Sequence, residues 1–206
     1  MVEGNGTPDK VVAYARTHGV FRPRDVAGFG VHPEEIRRLH RKGLLRRLRR
    51  GLYELADSEP DTNQSLIEIC TLAPQGVVCL LSALRVHEIG TQLPHKLWLA
   101  IPGKSNRPRI DFQAIEIIRL TGKMYHLGIE ERVTSAGSFR VYCIAKTVVD
   151  CFRFRNKIGL DVAVEALREV MLHERRYKVT VSDLYELARQ CRIASVMTPY
   201  MEALIG

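Results

Sequence analysis

Residues 36 to 55 have the sequence IRRLHRKGLLRRLRRGLYEL, in which basic side chains alternate with regularly spaced apolar ones. A disordered basic tail would be a run of like charge with little hydrophobic order. Eight cationic side chains and no carboxylate fall within residues 37 to 50. They are Arg37, Arg38, Arg41, Lys42, Arg46, Arg47, Arg49 and Arg50. The stretch is therefore predicted to be a folded element that presents a concentrated basic patch.

The first half of this patch belongs to a predicted helix, HPEEIRRLHRKG, residues 32 to 43. Pro33 suits the first helical position, two acids follow it near the positive end of the helix dipole, and Gly43 marks the stop. Ile36 and Leu39 lie three residues apart on one face, which leaves the arginines on the opposite and flanking faces. This arrangement is typical of a helix that reads a DNA groove.

The second half, LLRRLRRGLYEL at residues 44 to 55, changes to a strand-like period, and Gly51 suits a tight hairpin turn. Two short strands would place four arginines beside the duplex backbone while the helix occupies the major groove. The helix and the hairpin together predict the recognition helix and wing of a winged helix-turn-helix.

Two further helices are predicted upstream. KVVAYARTHG, residues 10 to 19, carries an apolar stripe, with Thr7 or Asp9 as its predicted N-cap and Gly19 as its stop. VFRPRDVAGFG, residues 20 to 30, predicts a very short helix with Pro23 in its first turn. They complete the helix-turn-helix.

A polar, Pro-containing linker, ADSEPDTNQS, is predicted at residues 56 to 65. Helices are predicted beyond it at 65–74, 78–90, 145–155, 160–174, 180–192 and 195–204, and strands at 96–102, 115–120, 129–133 and 139–144. Strands gathered between helices favour an α+β fold over a repeating βαβ sheet. We therefore expect a winged helix-turn-helix domain at residues 1–57, followed by a larger mixed α+β domain at residues 65–206 with a helical C-terminal part.

The composition favours a basic cytoplasmic protein. The net charge is +8, and residues up to Asp57 contribute +5 of it, so a polyanionic partner such as nucleic acid is indicated. The five cysteines are odd in number and lack metal-site spacing, which predicts reduced and mostly buried thiols. Neither a secretion signal nor a membrane span is evident in the sequence.

Three candidate catalytic patterns are incomplete. PGKS, residues 102–105, resembles the end of a phosphate-binding loop, but Trp98 stands where that loop needs glycine. His87 lacks the second histidine of a zinc helix. Asp111 and Glu116 resemble a nuclease carboxylate pair, but the lysine expected after the second acid is absent. No metal, cofactor or enzymatic activity is predicted from these residues.

A second basic surface is one interpretation of five cations in the C-terminal half, and an ordinary solvated face is the other. These cations are Arg140, Lys146, Arg153, Arg155 and Lys157. Nearby, residues 160–174 are predicted to bury a stripe through Leu160, Val164, Leu167 and Met171.

The order of motifs resembles the AbiEi antitoxins of bacterial type IV toxin-antitoxin systems, first named from abortive phage infection. The likeness is carried by RRGLYEL at 49–55, CLLSALRVHEIGTQLPHKLWLAIP at 79–102, VYCIAKTVVDCFRFRNKIGLDVAVEALREVM at 141–171 and VMTPYMEAL at 196–204. The last three segments are the specific ones, because many winged-helix proteins share the first.

The resemblance implies a two-part antitoxin without enzymatic activity. In this family the winged helix represses its own operon by binding inverted repeats in double-stranded promoter DNA, and the C-terminal domain is associated with neutralising a nucleotidyltransferase-type toxin without a tight complex. By this resemblance, the eight cations of residues 37 to 50 would bind the promoter DNA and so carry out repression. A monomer in solution that binds DNA cooperatively is compatible with this role.

Two alternatives stay open at this point. One is a winged-helix-guided nuclease or degenerate nucleotidyltransferase that acts on nucleic acid. The other is a winged-helix protein that mainly scaffolds other proteins. The resemblance leaves open whether Ser82, His87, Lys146, Asp150 or Arg155 contacts a partner.

Overall fold

The computed structural model describes residues 6–205, so residues 1–5 and residue 206 of the predicted domains lie outside the described residues. The chain forms two compact units. The first comprises the chain up to Pro74 together with Glu131–Phe139, and the second comprises Gln75–Glu130 and the chain from Arg140 onward. The boundaries predicted at residues 57 and 65 stay predictions.

The first unit begins with the three predicted helices. They are α1 (Thr7–His18), α2 (Pro23–Val26), which continues into a 3₁₀ turn (Ala27–Phe29), and α3 (Pro33–Arg41). Their apolar sides share one core with the hairpin that follows. Its buried residues are Val11, Ala15, Phe21, Val26, Val31, Ile36, Leu39, Leu45 and Tyr53.

The hairpin consists of β1 (Leu45–Arg49) and β2 (Leu52–Leu55), which pair antiparallel. The register shifts between Arg47 and Arg49, so the strand contains a bulge close to the turn. Phe21 adds a one-residue third strand, since its N–H and C=O both bond to the backbone of Tyr53 at 2.9 Å. The base of the hairpin is thereby attached to the segment between α1 and α2. Helix α4 (Gln64–Leu72) follows after an irregular segment.

Helix α1 begins earlier than predicted. Its N-cap is Gly6, in an extended conformation and without a side-chain cap, so the prediction of Thr7 or Asp9 was wrong. Both residues lie inside the first turn, because Pro8 occupies the start of the helix, where its missing N–H costs no hydrogen bond. Gly19 ends the helix as predicted, and its N–H donates to the carbonyl of Ala15 at 2.8 Å.

Five further strands are β3 (Val77–Val78), β4 (Leu97–Pro102), β5 (Ile115–Leu120), β6 (Ile129–Thr134) and β7 (Gly137–Tyr142). They form one mixed sheet in the order β5-β4-β3-β7-β6. Strand β3 runs antiparallel to β4 and parallel to β7, and β4 runs parallel to β5. The predicted strands are all present, and β3 is an addition to them.

The remaining helices lie in the second unit, most of them after the sheet in sequence. They are α5 (Leu80–Val86), α6 (Lys123–His126), α7 (Ile144–Arg153), α8 (Arg155–Ile158), α9 (Leu160–Leu172), α10 (Glu174–Tyr177), α11 (Val181–Gln190) and α12 (Ala194–Ile205). The α+β class and the helical C-terminal part are confirmed.

The buried face of α9 differs from the predicted stripe. Leu160 is 39% exposed, and Val164 and Met171 are only half-buried. The fully buried residues are Val162, Ala163, Ala166, Leu167 and Val170. Ala163 and Ala166 lie in the middle of this buried face, and small side chains let neighbouring helices approach closely. The buried face of α9 is therefore rotated away from the line that joins its largest apolar side chains.

Gly19 supports a first prediction. Its φ is +68°, and an added Cβ would lie 2.0 Å from the carbonyl oxygen of Ala136 in the same unit. We expect Gly19→Ala to lower the free energy of unfolding by about 2 kcal/mol or more, because backbone strain and a backbone clash add together. Urea titration followed by far-ultraviolet circular dichroism measures the change.

The matched control is Gly30→Ala. Gly30 also has a positive φ, +75°, but nothing lies within 4 Å of an added Cβ. Backbone strain is the one cost at this position, so we expect Gly30→Ala to lower the free energy of unfolding by about 1 kcal/mol. Equal losses for the two variants would contradict the close contact at Gly19.

Candidate nucleic-acid interface

The outward face of α3 follows from how the helix is anchored. Ile36 is fully buried and Leu39 is 1% exposed, and these two side chains define the side that faces the core. Since successive helical residues are about 100° apart, Glu34 and Arg41 lie directly opposite the core. Arg37 and Arg38 flank that line, one on each side. The centre of the outward face therefore carries an acid as well as arginines.

All three helical arginines are engaged by acids of the first turn. Arg37 and Arg41 both bond to Glu34, with nitrogen-to-oxygen distances of 2.9 and 2.8 Å. Arg38 bonds to Glu35 at 2.6 Å. The guanidinium groups remain at least half exposed, so they are held in place while still open to a ligand.

Two wing arginines have a different role, because their carboxylate partners are buried. Arg46 bonds to Glu54 at 2.5 Å, and the Glu54 side chain is only 2% exposed. Arg49 bonds to Glu68 of α4 at 2.7 Å, and the Glu68 side chain is 7% exposed. A buried carboxylate is costly without a partner, so these two arginines stabilise the unit as well as adding charge.

The other three cations of the patch are free of carboxylates within residues 6–205. Lys42 is the C-cap of α3, Arg50 lies in the hairpin turn beside Gly51, and Arg47 donates to the carbonyl of Arg49 at 3.3 Å. All three are exposed. Each can therefore meet a phosphate without first giving up an ion pair.

The ion pairs that four glutamates make with the patch were not predicted from the sequence. Glu54 could have been found, because the hairpin register places it directly opposite Arg46. Glu68 is 19 residues from Arg49, and no local pattern signals that contact. Five of the eight cations thus pair with four carboxylates, and three of the four excess positive charges lie on Lys42, Arg47 and Arg50.

The predicted second basic surface loses one of its five cations. Lys146 is fully buried and bonds to Asp150, so placing it on a surface was wrong. Arg140, Arg153 and Arg155 each donate to backbone carbonyls nearby. Lys157 is exposed. Sequence reasoning misplaced Lys146 because a Lys–Asp pair one helical turn apart is usually a surface pair.

Lys146 and Asp150 form a polar cluster inside the second unit. The Lys146 Nζ atom lies 4.5 Å from the ring centroid of Tyr142. Burial raises the pKa of the Asp150 carboxyl, and the ammonium of Lys146 opposes that shift. Asp150 Oδ1 is buried without a hydrogen-bond partner within residues 6–205. The side chains of Lys146 and Asp150 are 0% and 2% exposed, so the cluster is closed to a ligand.

The candidate catalytic residues are buried, ion-paired or exposed in a loop. His87 is buried and its Nε2 atom lies 2.7 Å from the carbonyl oxygen of Tyr142. Glu116 lies in β5 and pairs with Lys96 at 3.9 Å, whereas Asp111 is exposed in the preceding loop. Within residues 6–205 no three His, Cys, Asp or Glu side chains converge as a metal site, and no helix is long and apolar enough to cross a bilayer. Four of the five cysteines are buried, and Cys143 is half-buried.

The first unit carries a winged helix-turn-helix of the kind found in DNA-binding regulators. Its defining features are three helices, a basic outward face on the third helix and a two-stranded wing. Residues 9–56 match the family model described as a transcriptional regulator, AbiEi antitoxin. The match covers the helices and the wing, and it confirms for this segment the resemblance predicted from the sequence.

A solved structure supports the fold over most of the chain. The crystal structure of the RV2827C protein from Mycobacterium tuberculosis is similar with a TM-score of 0.51 and 17% sequence identity, over 88% of this chain and 74% of that one. At this identity the likeness is one of fold alone. No curated protein matches the chain.

The buried partner of Arg46 supports a second prediction. We expect Arg46→Ala to lower the free energy of unfolding by about 1–3 kcal/mol, because Glu54 would keep only its bond from Gln64, at 3.1 Å. Arg47→Ala is the control, since Arg47 pairs with no carboxylate of the described residues 6–205. Chemical denaturation of both variants measures the difference. Equal stability of the two would show that Arg46 does not support Glu54.

Proposed function

We propose that this protein is the antitoxin of a type IV toxin-antitoxin system and that it represses its own operon by binding promoter DNA. The observation that carries the DNA-binding part is the cationic face of α3 and the wing, in a segment that matches a family of antitoxin transcriptional regulators. Family membership of that segment favours a regulator over an enzyme.

The geometry suggests how the duplex is held. Helix α3 enters the major groove with the side opposite Ile36 and Leu39. The wing then lies beside the sugar-phosphate backbone, where Arg47 and Arg50 neutralise phosphates, and Lys42 does the same at the end of α3. Binding of a second protomer to an inverted repeat adds cooperativity, so a monomer in solution is compatible with this function.

The antitoxin role rests on the resemblance of the later segments, residues 79–102, 141–171 and 196–204. The functional partner is a nucleotidyltransferase-type toxin, which the second unit counteracts without a tight complex. The fold does not favour the nuclease alternative, which needs a pair of metal-binding carboxylates. Asp111 is exposed in a loop, and Glu116 is paired with Lys96.

Salt dependence tests the DNA-binding part. Affinity for the DNA upstream of its own reading frame is expected to fall as salt rises, with a log-log slope of about −0.9 for each phosphate neutralised. Arg50→Ala should reduce the magnitude of that slope by about one and weaken binding to all duplexes alike. Fluorescence anisotropy at several salt concentrations provides the slopes.

Lys157→Ala is the control for that experiment, because it removes another exposed cation, one that belongs to the second unit. Its slope should equal that of the wild type. Charge reversal at Lys42, Arg47 and Arg50 together spares the buried partners of Arg46 and Arg49, so unchanged affinity in that variant would contradict the interface. Magnesium in the assay should leave the DNA uncut.

Co-expression tests the antitoxin part. The full chain is expected to restore the growth of cells that produce a nucleotidyltransferase toxin encoded beside it. The triple charge reversal should abolish repression of a promoter reporter but leave growth rescue intact, because the two roles lie in different units. Growth curves and reporter activity measure the two roles separately, and absence of rescue by the wild type would contradict the antitoxin role.

A further inference from the structure

Glu34 occupies an unexpected place for an acid in a DNA-binding helix. It lies directly opposite Ile36 and Leu39, so a duplex that receives α3 in its major groove faces this carboxylate at the centre of the contact. Glu35, the next residue, is turned towards the side of the helix and its side chain is only 17% exposed. Of the two acids in the first turn, Glu34 is the one aimed at the groove.

Helix stability gives only a weak reason for Glu34 to hold two arginines. Its side chain is 53% exposed, and those of Arg37 and Arg41 are 68% and 69% exposed. Ion pairs at such exposure add little to folding, and Glu35 already supplies an acid for the helix dipole. The pairs with Arg37 and Arg41 therefore form and exchange at small cost when a ligand arrives.

The chemistry of the groove restricts what Glu34 can contact. A carboxylate only accepts hydrogen bonds and is repelled by phosphates, so its partners on DNA are amino groups of base edges. In the major groove the amino donors are N4 of cytosine and N6 of adenine. Adenine places the N7 acceptor beside its amino group, which disfavours the second oxygen of a carboxylate.

An arginine–glutamate pair complements a G·C base pair. Guanine presents two acceptors, N7 and O6, which a guanidinium contacts with two donors, and the paired cytosine presents one donor, which a carboxylate accepts. Arg37 and Arg41 are already oriented on Glu34 at hydrogen-bond distance, so the cluster offers both halves of this pattern from one helix face.

We propose that Glu34 is a specificity-determining residue: it accepts a hydrogen bond from the N4 amino group of a cytosine in each half-site, while Arg37 or Arg41 reads the guanine paired with that cytosine. This inference rests on the proposed DNA-binding function and deepens it. The base-reading cluster is Glu34, Arg37 and Arg41, whereas Lys42, Arg47 and Arg50 bind phosphates irrespective of sequence.

Glu34→Gln tests the assignment, with Glu35→Gln as the matched control. Both variants remove one negative charge from the first turn of α3, so both should bind all DNA somewhat more tightly. Wild-type protein and both variants are used to select duplexes from a pool with randomised positions, and dissociation constants are then measured for single base-pair changes. Thermal unfolding verifies that the variants are folded.

The wild type is expected to prefer cytosine over adenine at one position of each half-site by about five- to a hundredfold. Glu34→Gln should lose that preference or shift it to adenine, because a glutamine amide complements N6 and N7 of adenine. Glu35→Gln should keep the wild-type preference.

A Glu34→Gln variant with the wild-type preference at every position would overturn the role of Glu34 while leaving the DNA-binding function intact. Failure of the wild-type protein to bind any duplex would instead overturn the proposed function. The two failures are therefore distinguishable within one set of measurements.

Discussion

The burial of Ile36 and Leu39 is the constraint on which the rest of the first unit depends. These side chains fix the rotation of α3 about its own axis, and that rotation decides which polar residues point outward. A polar substitution at either position would unfold the unit. The cations of α3 would then no longer be held on one outward face. Packing and electrostatics are thus specified by the same nine-residue helix.

The basic residues of the cationic patch form three groups, which differ in their ion pairs and therefore in their roles. Arg46 and Arg49 neutralise buried carboxylates, and their charge is largely committed to the fold. The arginines of α3 are held by acids of the first helical turn, which a base edge can replace as partner, whereas Lys42, Arg47 and Arg50 need no exchange before they contact a phosphate. A count of basic residues alone would assign all eight the same role, and it would overstate the field available to DNA.

The parts that could be predicted from the sequence are those specified by local signals. Pro33 and Gly43 delimit α3, and Gly51 with its flanking arginines predicts the wing, because helix ends and tight turns depend on a few adjacent residues. The pairing of Arg49 with Glu68 could not be predicted, since it joins elements that only the folded chain brings together. Lys146 was misplaced for a related reason: spacing alone cannot distinguish a solvated pair from one enclosed by helices.

The enclosed pair of Lys146 and Asp150 has a consequence for sequence divergence. Loss of either charge leaves the other isolated in an apolar interior, whereas replacing both with well-packed apolar residues is often tolerated. Homologous chains should therefore covary at these two sites, with both charges retained or both lost together. Such covariation would arise from dielectric cost in the core, and it should not by itself be taken as the mark of a binding site.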